Sequence, residues 1–189
     1  MSVGREHPGT LEIALLSTGG TIEKTYDARQ GKLHNEDSVL DHILADLVIE
    51  NIKLRRVQVM AKDSLDMTEE DHQHIAAKAI EESKRCHGVV IVHGTDRLSI
   101  TGEIIYAAGP TVSPIVLTGA MRPWIVRNSD AYQNITEALL AVQLLAPGVY
   151  VCMHSRVLEF PGIVKDRDGL RFIHSTEVSQ TDSKCSVDS

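Results

Sequence analysis

A chain of 189 residues, 42% hydrophobic and 24% charged, has enough apolar material for one well-buried α/β domain and is short for two. Its net charge of -7 disfavours nonspecific binding to nucleic acid or to anionic membranes, and no basic stripe with interleaved aromatics offsets it. Cys86, Cys152 and Cys185 are widely spaced, which fits reduced thiols better than a disulfide framework or a zinc site. Met1 to Glu12 is polar and lacks the apolar core of a secretory signal, and no apolar run approaches bilayer-spanning length. The expectation is a cytoplasmic protein with a small-molecule partner, no nucleic acid and no membrane.

In chain order, the apolar run Ile13 to Leu16 ends in Ser17-Thr18-Gly19-Gly20-Thr21-Ile22-Glu23. This reads as a buried strand opening into a tight turn that exposes Thr21. The Gly-Gly pair is read either as a plain turn or as the close backbone approach that a nucleophilic hydroxyl beside a small substrate needs. A phosphate cradle is disfavoured, because no helix with a Lys-Ser or Lys-Thr pair opens after the glycines. The residues Lys24 to Lys32 are polar and aperiodic and predict a loop. Asp37 or Ser38 can cap a helix in which Val39, Leu40, Ile43, Leu44, Leu47 and Val48 recur at helical spacing. Leu54 to Met60 alternates like an edge strand and leads into the polar loop Ala61 to Asp66. Thr68 and Asp71 have capping-box spacing ahead of a helix whose inner face is Ile75, Ala76, Ala79 and Ile80.

Gly88 to Val92 is the clearest buried strand and runs straight into His93-Gly94-Thr95-Asp96. A helix over about Ser99 to Ala108 follows, then a strand over Pro114 to Leu117 ending in Thr118-Gly119-Ala120-Met121-Arg122-Pro123. A helix started by Asn128 or Asp130 runs until Pro147-Gly148, and Val149 to Met153 forms a strand. Arg156 to Asp168 reads as an irregular loop holding Lys165, and Glu177 to Ser189 as a polar tail. Strands alternating with helices over short connections predict a doubly wound, mainly parallel sheet with helices on both faces, in a single domain. Such a fold gathers Thr18, Thr21, Asp63, Ser64, Thr95, Asp96 and the 118–121 turn on one rim, outside the carboxyl ends of the strands.

Hydroxyls and acids collected in this way suggest acyl transfer through a threonine nucleophile. An alcohol needs a base or phenolate beside it, and Tyr26 is near enough in sequence to supply one. His93 is a candidate base, or a packed histidine bonded to backbone. The remaining histidines lack zinc-ligand spacing with an accompanying Glu, so no metal is expected. Asp63 and Asp130 read as caps or turn residues.

The segments Thr18-Gly19-Gly20-Thr21-Ile22, His93-Gly94-Thr95-Asp96 and Gly119-Ala120-Met121-Arg122-Pro123 together resemble the bacterial-type L-asparaginases in order, spacing and strand context. The resemblance covers about Glu12 to Ile173 and corresponds to that family's amino-terminal domain. It implies a tail over 1–11, a domain over 12–175, a polar tail over 176–189, and cofactor-free hydrolysis of L-asparagine to L-aspartate and ammonia. By resemblance Thr21 is the nucleophile, Tyr26 the lid tyrosine, and Thr95, Asp96 and Lys165 a second catalytic constellation. Substrate binding falls to Gly20, Ser64, Asp96 and the Ala120 carbonyl. A lysine accepts a proton only where burial or a nearby cation disfavours its charge, whereas Asp96 beside it favours that charge, so Lys165 reads as either base or orienting ammonium. Leu65 stands where the family usually has Gln or Glu, and the chain ends where its second domain would begin. Both departures imply weaker affinity or relaxed selectivity. The family's assembly through paired domains implies a homodimer or homotetramer. A glutaminase or other amidase of the same fold, such as the amide-cleaving subunit of a transfer-RNA amidotransferase, and a non-catalytic amide-binding module remain as alternatives.

Overall fold

A computed structural model describes residues 9–27, 32–35 and 38–177; for residues 23–27, 32–35 and Ser38 only the backbone path is described. In chain order the elements are β1 Leu11–Ser17, β2 Lys24–Asp27, β3 Lys32–Asn35, α1 Ser38–Asp46, β4 Ile52–Gln58, α2 Glu69–Ser83 and β5 Gly88–Val92. They continue as α3 Leu98–Ala107, β6 Ile115–Thr118, α4 Ala131–Leu144, β7 Val149–Met153, β8 Arg156–Glu159, β9 Ile163–Asp166 and β10 Arg171–His174. Six strands form the central sheet in the order β4-β1-β5-β6-β7-β8, parallel throughout except for the edge strand β8. The doubly wound architecture expected from the alternating elements is therefore present.

Side-chain alternation explains the two-sided packing. Ile13 and Leu15 of β1, with Val90 and Val92 of β5, face a core shared with Val39, Leu40 and Ile43 of α1 and Ile135 and Leu139 of α4. Ala14 and Leu16, with Val89 and Ile91, face the opposite core, which is filled by Ile75 and Ala79 of α2 and Leu98 and Ile105 of α3. Because both faces are covered, β5 reads as an unbroken apolar run instead of an alternating one. The Thr68–Asp71 capping box expected at the start of α2 is formed reciprocally.

Two segments differ from the sequence reading. The stretch expected as a loop after Glu23 contains an antiparallel hairpin, β2–β3, in which Tyr26 pairs with Leu33. The expected irregular loop Arg156 to Asp168 instead holds β8 and β9, with β9 paired antiparallel to β10. These strands are four residues long, too short for period-two alternation to stand out among charged residues. Expectations for Met1 to Pro8, the Asp37 cap, Cys185 and the tail beyond Glu177 lie outside the described residues. Cys86 and Cys152 are buried free thiols. Among the described residues no helix is long and apolar enough to cross a membrane.

Gly102 of α3 lies against the buried Phe160 ring, which a Cβ at this position would overlap. Gly102→Ala is therefore expected to lower stability by about 1–3 kcal/mol in urea denaturation, the range for overpacking a filled core. Helix propensity alone predicts the opposite sign, a gain of about 1 kcal/mol, so a more stable variant would contradict this packing account.

Candidate active site

The chain leaves β1 for β4 on one side and then crosses to β5 on the other before continuing outward through β6 and β7. The strand order therefore switches between β1 and β5, and the crevice beyond their carboxyl ends is where ligands bind in open α/β sheets. The turns after these two strands are Gly19-Gly20-Thr21 and His93-Gly94-Thr95-Asp96.

These turns touch backbone to backbone. Gly20 has φ +94, and a Cβ there would sit 2.5 Å from Gly94 Cα and 2.6 Å from Gly94 N. Only a residue without a side chain satisfies both the positive φ and this approach. Gly94 in turn lies on Ser64, whose Oγ would be 2.6 Å from a Cβ at Gly94, and Gly119 lies against the His93 carbonyl and the Thr95 methyl. Four turns named from the sequence thus form one contiguous rim. The strand ends hold it through bonds beyond the ladder: Thr18 N and Oγ1 donate to Val92 O at 3.1 and 3.0 Å, Lys62 N to Thr18 O at 3.1 Å, and His93 N to Thr118 O at 2.8 Å.

Thr21 opens a short 3-10 turn, Thr21–Glu23, and is half-buried; the next residue, Ile22, is anchored in the core with Val39, Leu40 and Ile43. The glycines therefore lead into a single turn and a hairpin, without the long helix a phosphate loop requires. The Tyr26 side chain lies outside the described groups. Ser64 and Ala120 are both 1% exposed, while Leu65 beside Ser64 is 53% exposed. Asp63 acts as the expected turn residue, accepting from Leu65 N at 3.1 Å.

Lys165 arrives from β9. Ile163 and Lys165 share a face of that strand, and Ile163 is buried in the α2–α3 core, which turns Lys165 inward. Its side chain is 14% exposed, and its Nζ donates to Thr95 Oγ1 at 2.8 Å and to Asp96 Oδ1 at 3.0 Å. Thr95, Asp96 and Lys165, grouped by resemblance from positions 70 residues apart, are thus in direct contact. Arg167, which sequence reasoning passed over, lies 3.5 Å from the same Asp96 oxygen.

His93 is a packed histidine. It is fully buried, its Nδ1 is bonded to Gly94 O at 2.8 Å, and burial depresses its pKa to about 4, so it is neutral at pH 7. A second group missed by sequence reasoning holds the Gly119–Arg122 turn. Asp130 makes no side-chain cap to α4 and instead accepts from Met121 N at 2.9 Å, Arg122 N at 3.0 Å, Asn134 Nδ2 at 2.8 Å and His154 Nε2 at 2.7 Å. Asn134 Nδ2 also donates to Gly119 O at 2.9 Å. The i,i+4 spacing of Asp130 and Asn134 at the start of a helix was the readable signal. Among the described residues, no group of three or more His, Cys, Asp or Glu could hold a metal ion.

A cavity of about 810 Å³ lies at the opposite end of the sheet, lined by residues at or just before the starts of the strands, including Leu11, Cys86, Pro114 and Pro147. A smaller one of about 300 Å³ adjoins Met121, Arg122, Asp130 and His154. Size alone points to the amino ends of the strands, whereas the polar convergence and the strand switch point to the rim.

Burial pushes the Asp130 carboxyl up, but its donors outweigh that and hold it below the usual range. A carboxyl depressed by folding stabilises fully above its unfolded pKa of about 4 and loses that contribution as pH falls through the lower folded value. Asp130→Asn is therefore expected to cost about 1–3 kcal/mol at pH 7 in urea denaturation. The gap to the unaltered chain should hold down to about pH 5 and narrow below about pH 4. No gap at neutral pH, or one that widens toward acid, would contradict this role.

Comparison with known proteins places the chain in a family. The chain is 33% identical over 158 residues to a glutamyl-tRNA(Gln) amidotransferase subunit from Methanococcus vannielii, a match covering 80% of this chain and 36% of that protein. Among solved structures it resembles the thermostable L-asparaginase from Thermococcus kodakarensis, with TM-score 0.76 and 28% identity over 87% of this chain and 51% of that one. It also resembles a probable cytoplasmic L-asparaginase from Campylobacter jejuni, with TM-score 0.64 and 28% identity, covering 82% of this chain and 48% of that one. The chain thus spans about a third of the length of this curated relative and about half that of the solved structures. The family model for the asparaginase amino-terminal domain matches residues 12–183, and with the three rim segments in place the chain belongs to the asparaginase family.

Proposed function

We propose that the chain is a side-chain amidohydrolase that converts L-asparagine to L-aspartate and ammonia through an acyl-enzyme on Thr21. The observation that supports this most directly is the Lys165–Thr95–Asp96 contact, made on the turn against which the Gly20 backbone packs. The likeness to solved L-asparaginases favours the same substrate.

In this reading the Thr21 hydroxyl oxygen attacks the amide carbon while backbone N–H groups of the rim steady the oxyanion. The C–N bond breaks, the nitrogen leaves as ammonia with the hydroxyl proton, and an ester remains on Thr21. Water then adds to the ester carbon, releases aspartate and restores the threonine proton. Lys165 donates to Thr95 Oγ1, which leaves the Thr95 proton free to point onward. This arrangement suits an ammonium that orients Thr95 and offsets developing negative charge. Asp96 holds the lysine in place, and Tyr26 is proposed to cover the site from the β2–β3 hairpin. Ser64 and the Ala120 carbonyl are proposed to hold the substrate's α-carboxylate and leaving amide, and Leu65 offers no polar contact to its α-ammonium. The domain is proposed to span 12–175 and to act as a homo-oligomer in the cytoplasm.

A second reading is favoured by the name of the curated relative: an amide-cleaving subunit that releases ammonia for an amidotransferase. The net charge of -7 weighs against direct contact with transfer RNA, but a partner protein could supply that contact. Ammonia release from asparagine and glutamine, measured side by side, separates the readings. The first predicts turnover of asparagine with KM of about 1 mM or above, the weak end of the ordinary range. Thr21→Ala is expected to lower kcat at least about a thousandfold, as loss of a nucleophile does elsewhere. Preference for glutamine would move the assignment to the second reading, and a Thr21→Ala variant with full turnover would remove the acyl-enzyme.

A further inference from the structure

Behind the rim lies a buried polar chain that the amide chemistry above does not use. His93 Nε2 is 2.8 Å from Thr101 Oγ1, the same oxygen is 2.7 Å from His72 Nδ1, and the two imidazoles stack with centroids 5.9 Å apart. His72, His93 and Thr101 are all buried, on α2, after β5 and on α3 respectively. One threonine hydroxyl therefore ties both helices of one layer to the turn that carries Thr95 and Asp96.

The proton order along this chain is fixed from one end. Gly94 O can only accept, so His93 Nδ1 carries a hydrogen and donates it. Neutral His93 then presents a lone pair at Nε2, which Thr101 must fill by donating its hydroxyl proton. The Thr101 oxygen is left to accept, so His72 carries its proton at Nδ1. That leaves His72 Nε2 as a bare lone pair, and this atom is buried with no hydrogen-bond partner. An unsatisfied buried acceptor is unfavourable and calls for an explanation.

The other end of the chain supplies one. Gly94 O and Thr95 N–H belong to a single planar trans peptide, so the bond that holds the carbonyl toward His93 turns the Thr95 N–H the opposite way. The Gly20 backbone stands on this same His93–Gly94 segment. Rotation of the Gly94–Thr95 peptide would therefore swing the Thr95 N–H and disturb the Thr95 side chain, immediately after the Gly94 Cα and N against which the Gly20 backbone packs.

We propose that His72, Thr101 and His93 form a positioning relay, with Thr101 as its hinge, that locks the Gly94–Thr95 peptide plane for the amide chemistry. The inference rests on the amidohydrolase reading, and none of the three residues touches substrate in it.

Three substitutions and one spectrum test it. Thr101→Val keeps the side-chain shape and removes both bonds, while Thr101→Ser keeps the hydroxyl. The expected result is that Thr101→Val lowers kcat by about ten- to a hundredfold, the scale of a small misplacement of reacting groups, with KM little changed. Thr101→Ser is expected to retain most of the activity. His72→Phe, which removes only the far donor, should show the same loss of kcat in smaller measure and serves if Thr101→Val does not fold. Long-range 1H–15N NMR of the unaltered chain should show His93 as the neutral Nδ1–H tautomer at pH 7. The relay is overturned by full kcat in folded Thr101→Val, by Thr101→Ser as impaired as Thr101→Val, or by His93 protonated at Nε2. Absence of ammonia release by the unaltered chain from any amide would instead overturn the amidohydrolase reading, which the tautomer measurement does not address.

Discussion

The structure depends on a backbone contact. Where β1 and β5 end, Gly20 approaches Gly94 so closely that no side chain fits between them, and Gly94 does the same to Ser64. Parallel pairing of β1 with β5 sets the height at which both strands stop, and bonds from Thr18 to Val92 extend that alignment past the ladder. The hydrophobic cores on the two faces supply the stability that keeps these polar turns together.

Around that contact each side chain is held from behind. Lys165 is turned inward by the alternation of β9 and the burial of Ile163. The Gly119–Arg122 turn hangs on Asp130 and Asn134 from the first turn of α4, and the Thr95 turn hangs on His93. Arg97 Nη1 donates to Met67 O at 2.7 Å, tying the segment after Ser64 to the start of α3. Candidate catalytic groups on one edge are thus supported by polar groups on the helices of both layers, the arrangement that preorganised electrostatics requires.

Much of this was legible in the sequence because it follows from pattern. The apolar runs at β1, β5, β6 and β7 and the helices between them imply a doubly wound sheet, and that fold places Thr21, Ser64, Thr95 and the Ala120 turn on one rim. The position of Lys165 was available only by resemblance, because β9 and β10 are short and charged and their pairing is set by contacts with α3, β7 and β8 rather than by local period. The same holds for the β2–β3 hairpin, whose residues carry no alternating apolar face. Asp130 was read as a cap or turn residue, the local roles its residue type favours; it makes no side-chain cap, and its carboxylate holds the turn at Met121 and Arg122, nine and eight residues before it. His93 could be read two ways from its place after an apolar strand; burial and the Gly94 carbonyl select the structural one.

The central claim is that the crevice between the β1 and β5 turns is the substrate site, with Thr21 on one wall and the Lys165-bound Thr95 on the other. The most direct measurement is a crystal structure of the chain with L-aspartate bound. The side-chain carboxylate is expected to lie between the two threonine hydroxyls. Aspartate found only in the cavity beneath the amino ends of the strands, or the two hydroxyls facing away from a common space, would contradict it.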